Sequence, residues 1–247
     1  MRELRIRPLA GLPELNERDD LGALIASAGS PTDEEIVVVS QKAVSKVEGR
    51  VRSLADLDPG DRARELAAEL EKDPALVELV LAESERVVRA ERGVLITETH
   101  AGWVCANAGI DSSNLADGYV SLLPLDGDAS ARRIRDEIAA AAGARPAVVI
   151  ADSFGRAWRL GQADVAIGCA GLAPLADWRG KHDSQGNELT ATVIAVADEL
   201  AAAADLTRDK DSGVPGAIVS GLAELVRPDD GPGAGPLRRP AEEDLFR

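Results

Sequence analysis

Residues 35–40 read EIVVVS, a β-branched run, and residues 147–151 repeat that texture as AVVIA. A strand exposed on one face alternates apolar with polar residues, whereas continuous Val/Ile runs mark strands buried on both faces. Residues 216–219 (GAIV) form a shorter candidate of the same kind. Between these runs the period changes. Residues 61–92 carry Leu, Ala, Glu and Arg at helical spacing and predict two helices broken near Asp73-Pro74. Residues 129–142 and 190–204 predict two more helices, the second Ala-rich and suited to close packing. Strands alternating with helices indicate an α/β (mixed α+β) protein.

At 247 residues and 45% hydrophobic, the chain can bury a core sized for one large domain or two lobes. Residues 1–227 are expected to form that unit. Residues 228–247 are expected to be a linker or tail, because 228–240 (PDDGPGAGPLRRP) is Pro/Gly-rich and AEEDLFR after it is too short for another domain. No apolar run is long enough for a membrane span, and the start, MRELRIRPLAGLPEL, lacks the apolar core of a signal peptide. Cys105 and Cys169 show no metal-ligand spacing, so a reducing, cytoplasmic setting is expected. A formal net charge of −15 argues against nucleic acid, whose phosphates need clustered Lys and Arg. It does not forbid a nucleotide, since a metal ion and local cations neutralise phosphates inside an acidic protein.

Four places carry candidate chemistry. Residues 97–114, TETHAGWVCANAGIDSSN, follow the apolar residues 93–96 (GVLI), the expected end of a buried strand, and contain little that a core would use. Their ending, Asp111-Ser-Ser-Asn114, can aim two oxygens at one cation or phosphate; it can equally form an Asx-turn or a helix cap. Asp152-Ser153 follows the strand at 147–151, where open α/β sheets bind ligands, and either holds Mg²⁺ or Mn²⁺ or caps the next segment. Arg156 and Arg159 are either anion contacts or surface partners of acids. Ser40-Gln41-Lys42 leaves the strand at 35–40, with Lys46 about one turn on; the two lysines meet a polyphosphate or form a solvated basic face. His100 and His182 have no partners at zinc spacing, and neither a G-x-S-x-G elbow nor a G-x-x-x-x-G-K-[ST] loop occurs. The remaining oxygen-rich set favours hard cations.

The order and wording of these segments resemble one family. Gly11-Leu-Pro-Glu14, SQKAVSKVEGR, TETHAGWVCANAGIDSSN, Asp152-Ser-Phe-Gly-Arg156 with Trp158-Arg159, residues 161–168 (GQADVAIG) and D-x-x-G-x-x-L at Asp183, Gly186 and Leu189 look like the coenzyme F420-0:L-glutamate ligases, the F420 gamma-glutamyl ligase family. The resemblance runs from about Leu9 to Leu222. It implies a fold particular to that family with two closely associated lobes, and a homodimer. It also implies a GTP-dependent ligase that joins a carboxylate of the F420-0 precursor to L-glutamate, with gamma-glutamyl extension thereafter. The route implied is an acyl phosphate, with GDP and phosphate released.

By the same resemblance Asp111 and Asp152 match the catalytic pair that binds a first Mg²⁺ or Mn²⁺, and Ser153 matches a ligand of a second; a monovalent cation such as K⁺ is also compatible. The nucleotide contacts carried over are Leu12, Pro13, Glu14, Leu15, Ser40, Gln41, Lys46 and Asn114. A further GTP loop comprises Arg208, Asp209, Lys210, Asp211, Ser212, Gly213, Val214 and Pro215. That loop departs from the family wording: Lys210 stands where some members use a glutamine as metal ligand. Some relatives continue into a nitroreductase-like domain about where residues 243–247 end this chain, so it is expected to be a stand-alone ligase or the ligase half of a longer protein. Two other functions use the same residues: a metal-dependent phosphohydrolase and a non-catalytic nucleotide-binding module.

Overall fold

A computed structural model describes residues 3–244. In chain order, β1 (Arg5–Pro8) leads through α1 (Leu21–Gly29) to β2 (Ile36–Ser40), α2 (Gln41–Val47) and β3 (Val51–Ser53). Helices α3 (Asp61–Leu70) and α4 (Pro74–Ala82) precede β4 (Ser84–Glu91), β5 (Val94–Thr99), β6 (Val104–Ala106) and β7 (Tyr119–Ser121). Helix α5 (Gly127–Ala142) is followed by β8 (Ala147–Arg156), β9 (Arg159–Ala170), β10 (Ala176–Asp177), β11 (Val193–Ile194), α6 (Val196–Asp205) and β12 (Gly216–Ser220). The fold is mixed α/β.

The three β-branched runs become neighbours in one five-stranded sheet, ordered β1-β12-β2-β8-β9. Only β2 and β8 are parallel; the other pairs are antiparallel. Side-chain alternation divides each run between two cores. Val37, Val39, Val148 and Ile150 pack with Leu21, Ile25, Val44, Ile134 and Ile138 of the helices on one face. Ile36, Val38, Val149 and Ala151 pack on the other face against Ala197, Leu200, Ala201 and Ala204 of α6. Helices on both sides explain why the runs are continuous: every position faces an apolar layer. The small residues of α6 bring it close to the sheet, as the Ala-rich sequence suggested.

A second lobe has its own core, formed by Leu66, Leu70, Val77 and Val80 of α3 and α4 with Leu95, Val120 and Leu122. The helix break expected at Asp73-Pro74 is present: Asp73 caps α4 by accepting from the backbone N–H of Ala75 and Leu76, and Pro74 occupies its first turn. The helical expectation fails beyond Glu83, because residues 84–91 form β4 and pair with β5 through a hairpin. Arg92 and Gly93 both have positive φ, 53° and 75°, the twist a two-residue hairpin requires. Sheet pairing and burial of Val87 and Ala90 against the second core override the helical spacing of the arginines and glutamates. The helix expected at 190–204 likewise begins only at Val196, since Val193 and Ile194 pair with β10.

Residues 97–114 also serve the core more than their composition suggests. Strand β5 runs on to Thr99, and Thr97, Cys105, Ala108 and Ile110 are buried. The segment 228–240, expected as a linker or tail, packs on the sheet lobe: Ala234 is fully buried. The buried Arg135 donates to the backbone carbonyls of Pro146, Arg227 and Asp229 and to the Asp230 carboxylate. The expected tail's last three residues, 245–247, lie outside the described residues. No helix among the described residues is long and apolar enough to cross a membrane.

Candidate active site

The sheet's register brings the candidate residues to one edge. Ser40 pairs with Ala151, so Gln41-Lys42 and Asp152-Ser153 leave the parallel pair side by side. Strand β12 runs the other way, so residues 208–215 arrive at this edge as it begins, and the Ser40 N–H donates to the Pro215 carbonyl. Strand β1 ends there too; the Leu9 N–H donates to the Gly216 carbonyl, and the chain continues into Leu12, Pro13, Glu14 and Leu15. A cleft of about 870 Å³ opens at this edge, lined by all these segments and by residues 105–114 of the second lobe. Ligands collect where strand ends diverge, and this cleft is such a place.

The second lobe is tied to α2 so that Asp111 faces Lys42. The Ser45 hydroxyl is bonded to Gln41 Oε1 and the Leu122 carbonyl, and Arg50 donates to the Leu123 carbonyl. Asp111 and Ser121 form a two-way backbone bridge. Of the two readings of Asp111-Ser-Ser-Asn114, the helix cap does not occur, since no helix follows. The Asx-turn does: Asp111 Oδ1 accepts from the Ser113 N–H at 2.8 Å. Its other oxygen accepts from the Ser113 hydroxyl at 2.9 Å and lies 2.7 Å from Lys42 Nζ on the cleft side. Burial raises the Asp111 pKa, but the Lys42 and Ser113 hydrogen bonds outweigh it and the net shift is down.

Asp152 is not a cap either. Strand β8 continues through it to Arg156, and a bulge in the pairing at Ile150/Ala151 changes the register just before it. Burial pushes its carboxyl up to about 7, with the Asp164 and Asp111 charges adding to the rise and Lys42 opposing it. Ser153 donates to Asp164 Oδ1 at 2.5 Å and accepts from Lys210 Nζ at 3.0 Å. Asp164, 4% exposed, also receives Arg208 at 2.7 Å. Cys105 borders Asp152, and burial raises its thiol to about 12, so it sits there neutral.

Of the expected nucleotide contacts, Leu12, Pro13, Glu14, Leu15, Ser40, Gln41, Lys46 and Asn114 all line the cleft. Lys46 is paired with Glu14 at 2.5 Å, and Asn114 donates to the Lys210 carbonyl at 3.4 Å, linking two loops. From the 208–215 loop only Ser212 stands off the cleft; its hydroxyl donates back to the Asp209 carbonyl. Arg208 is turned inward onto Asp164. Arg156 also turns to its own hairpin, donating to the Leu160 and Gly161 carbonyls.

Among the cleft residues that the sequence did not single out are Asn107, Asp164 and Asp205, whereas Lys42 was one of the two lysines it offered to a polyphosphate. Lys42 stands one turn before Lys46 on α2, so the helical spacing carried its signal. Asp164 and Asp205 had none, because only the register opposite Ser153 and the end of α6 bring them in. Asn107 lies inside the informative 97–114 segment; its Oδ1 is buried with no hydrogen-bond partner among the described residues.

These groups suit a hard cation. No cluster of three His, Cys, Asp or Glu side chains forms a ready metal cage among the described residues. Asp111 and Asp152 nevertheless face the single cation Lys42, and burial, with the Asp164 and Asp111 charges adding to it, makes Asp152 hard to ionise. Mg²⁺ commonly takes one or two protein carboxylates and completes its shell with phosphate oxygens and water, so an incomplete cage fits it.

The sequence model of the family described as F420-0:Gamma-glutamyl ligase matches residues 11–221. A Methanothermobacter thermautotrophicus protein named coenzyme F420:L-glutamate ligase is 43% identical over 243 residues, covering 96% of both chains. Proteins of the same name from Methanopyrus kandleri and Haloarcula marismortui are 40% and 41% identical, covering 99% of this chain and 98% and 96% of theirs.

Proposed function

The chain belongs to the F420-0:gamma-glutamyl ligase family, and from that premise we propose that it joins L-glutamate to the coenzyme F420-0 precursor using GTP. The observation that carries this is the cleft, where two carboxylates, two helix-borne lysines and the 208–215 loop with Lys210 converge from separate segments at one sheet edge. Asp111 and Asp152 would hold a divalent ion, which supplies Lewis-acid charge stabilisation to the transferring phosphoryl group. Lys42 and Lys46, four residues apart on α2, present ammonium groups to the phosphates. Leu12, Pro13, Glu14 and Leu15, together with residues 208–215, wall the same cleft and would position the nucleotide.

In the proposed sequence a precursor carboxylate oxygen attacks the γ-phosphorus and GDP leaves with the broken P–O electron pair. The glutamate amine then attacks the acyl carbon, losing a proton as inorganic phosphate departs and the amide forms. The chain's contribution is placement and charge, the usual source of rate in phosphoryl transfer. Incubation with F420-0, GTP, Mn²⁺ and L-glutamate should yield a product one glutamyl residue heavier by mass spectrometry; no such product would sink the ligase reading. A phosphohydrolase remains the second reading, because a carboxylate with a pKa near 7 suits activation of water. GTP hydrolysis that proceeds without either substrate would favour it.

A further inference from the structure

Two charge clusters lie side by side in the cleft, and they are balanced differently. On one side Asp111 and Asp152 share the single cation Lys42. On the other, Asp164 and Asp205 face two cations, Arg208 and Lys210. Arg208 lies 2.7 Å from Asp164 and 3.8 Å from Asp205; Lys210 Nζ lies 3.1 Å from Asp205 and 3.8 Å from Asp164. The first cluster keeps surplus negative charge, and the second keeps none.

Ser153 belongs to the balanced cluster. Its hydrogen goes to Asp164, and a lone pair accepts from Lys210 at 3.0 Å. A hydroxyl has one donor and two acceptor positions. A divalent ion on this oxygen would therefore lie against an ammonium already bonded to it, while the carboxylates of the same cluster, Asp164 and Asp205, are already paired with Arg208 and Lys210. The Lys210 side chain is otherwise 72% exposed toward the open cleft, so its charge remains within reach of a ligand's phosphates.

We infer that Lys210 is a tethered cation at Ser153 standing in the place of a second divalent ion, so that this chain handles a nucleotide's phosphates with one divalent ion and one lysine. The inference rests on the ligase reading for its ligand, a nucleoside triphosphate. It assigns Lys210 to phosphate binding and Arg208, through Asp164, to positioning Ser153.

The test counts bound Mn²⁺ by electron paramagnetic resonance in the presence of a non-hydrolysable GTP analogue. The wild type should hold about one ion per chain, as should Lys210→Arg, which keeps the charge; Lys210→Gln, which offers an oxygen instead, should hold about two. Circular dichroism confirms that the variants are folded. Two ions in the wild type, or an unchanged count in Lys210→Gln, overturns the inference. Because the count requires no turnover, its outcome is separable from the mass-spectrometric test: glutamyl product with two ions bound leaves the ligase reading standing and removes this one.

Discussion

Asp152 is the residue in which site and stability meet. Its carboxyl is raised from an ordinary 3.8 to about 7, chiefly by burial, with nearby Asp164 and Asp111 adding to the rise. A raised acid binds its proton more tightly in the folded state. Its contribution is therefore fully present below pH ~4 and is lost as pH rises through about 7, by up to about 4 kcal/mol. In urea melts without divalent ions, wild type should lose stability relative to Asp152→Asn between about pH 4 and 7. Parallel profiles for the two proteins would refute this. At this scale the sequence was informative where a residue follows a strand or repeats along a helix, as for Asp152, Lys42 and Lys46. Asp164 was not legible as a site residue, since nothing local distinguishes it from any other acid; its role comes from facing Ser153 across an antiparallel pair.

Among elements, the approach of α5 to β9 is one of the close constraints on sequence. A Cβ on Gly168 would stand 2.3 Å from the Gly127 carbonyl carbon, backbone against backbone, so neither side can yield by rotating a side chain. The same junction is pinned by Asp128, whose carboxylate accepts from the Cys169 and Ala234 N–H groups. Gly168→Ala should cost about 1–3 kcal/mol in urea unfolding, as overpacked sites do. Gly155→Ala, where a Cβ meets nothing within 4 Å, should be nearly neutral and serves as the control. Equal effects would remove the close-approach argument. Continuous apolar runs disclosed the sheet because burial on both faces leaves no polar position. Residues 84–91 misled because their spacing suits a helix, while pairing with β5 decides otherwise.

For the whole molecule, the informative contact is the one that ties the Pro/Gly-rich segment to the sheet lobe. Arg135, 1% exposed, spends its guanidinium on groups drawn partly from residues 229–230. Ending the chain after Arg227 would leave part of that buried charge without partners, a defect of the kind that costs about 3–5 kcal/mol. The truncated protein should melt at a markedly lower temperature in calorimetry. An unchanged melting point would show that residues 228–247 behave as a dispensable tail.

The sequence by itself determined three of the strands buried on both faces, the presence of helices α3 to α6, the family and most of the residues lining the cleft. Each of these depends on local composition, periodicity or a contiguous motif. Tertiary structure alone decided that five strands deliver their loops to one edge, that Ser153 lies between Asp164 and Lys210, and that the 228–240 segment closes over Arg135. Those relations join residues tens of positions apart, through register and packing that no local pattern encodes. The charge balance around Ser153 is of this kind: acids and bases are visible in any sequence, but their pairing depends on distance.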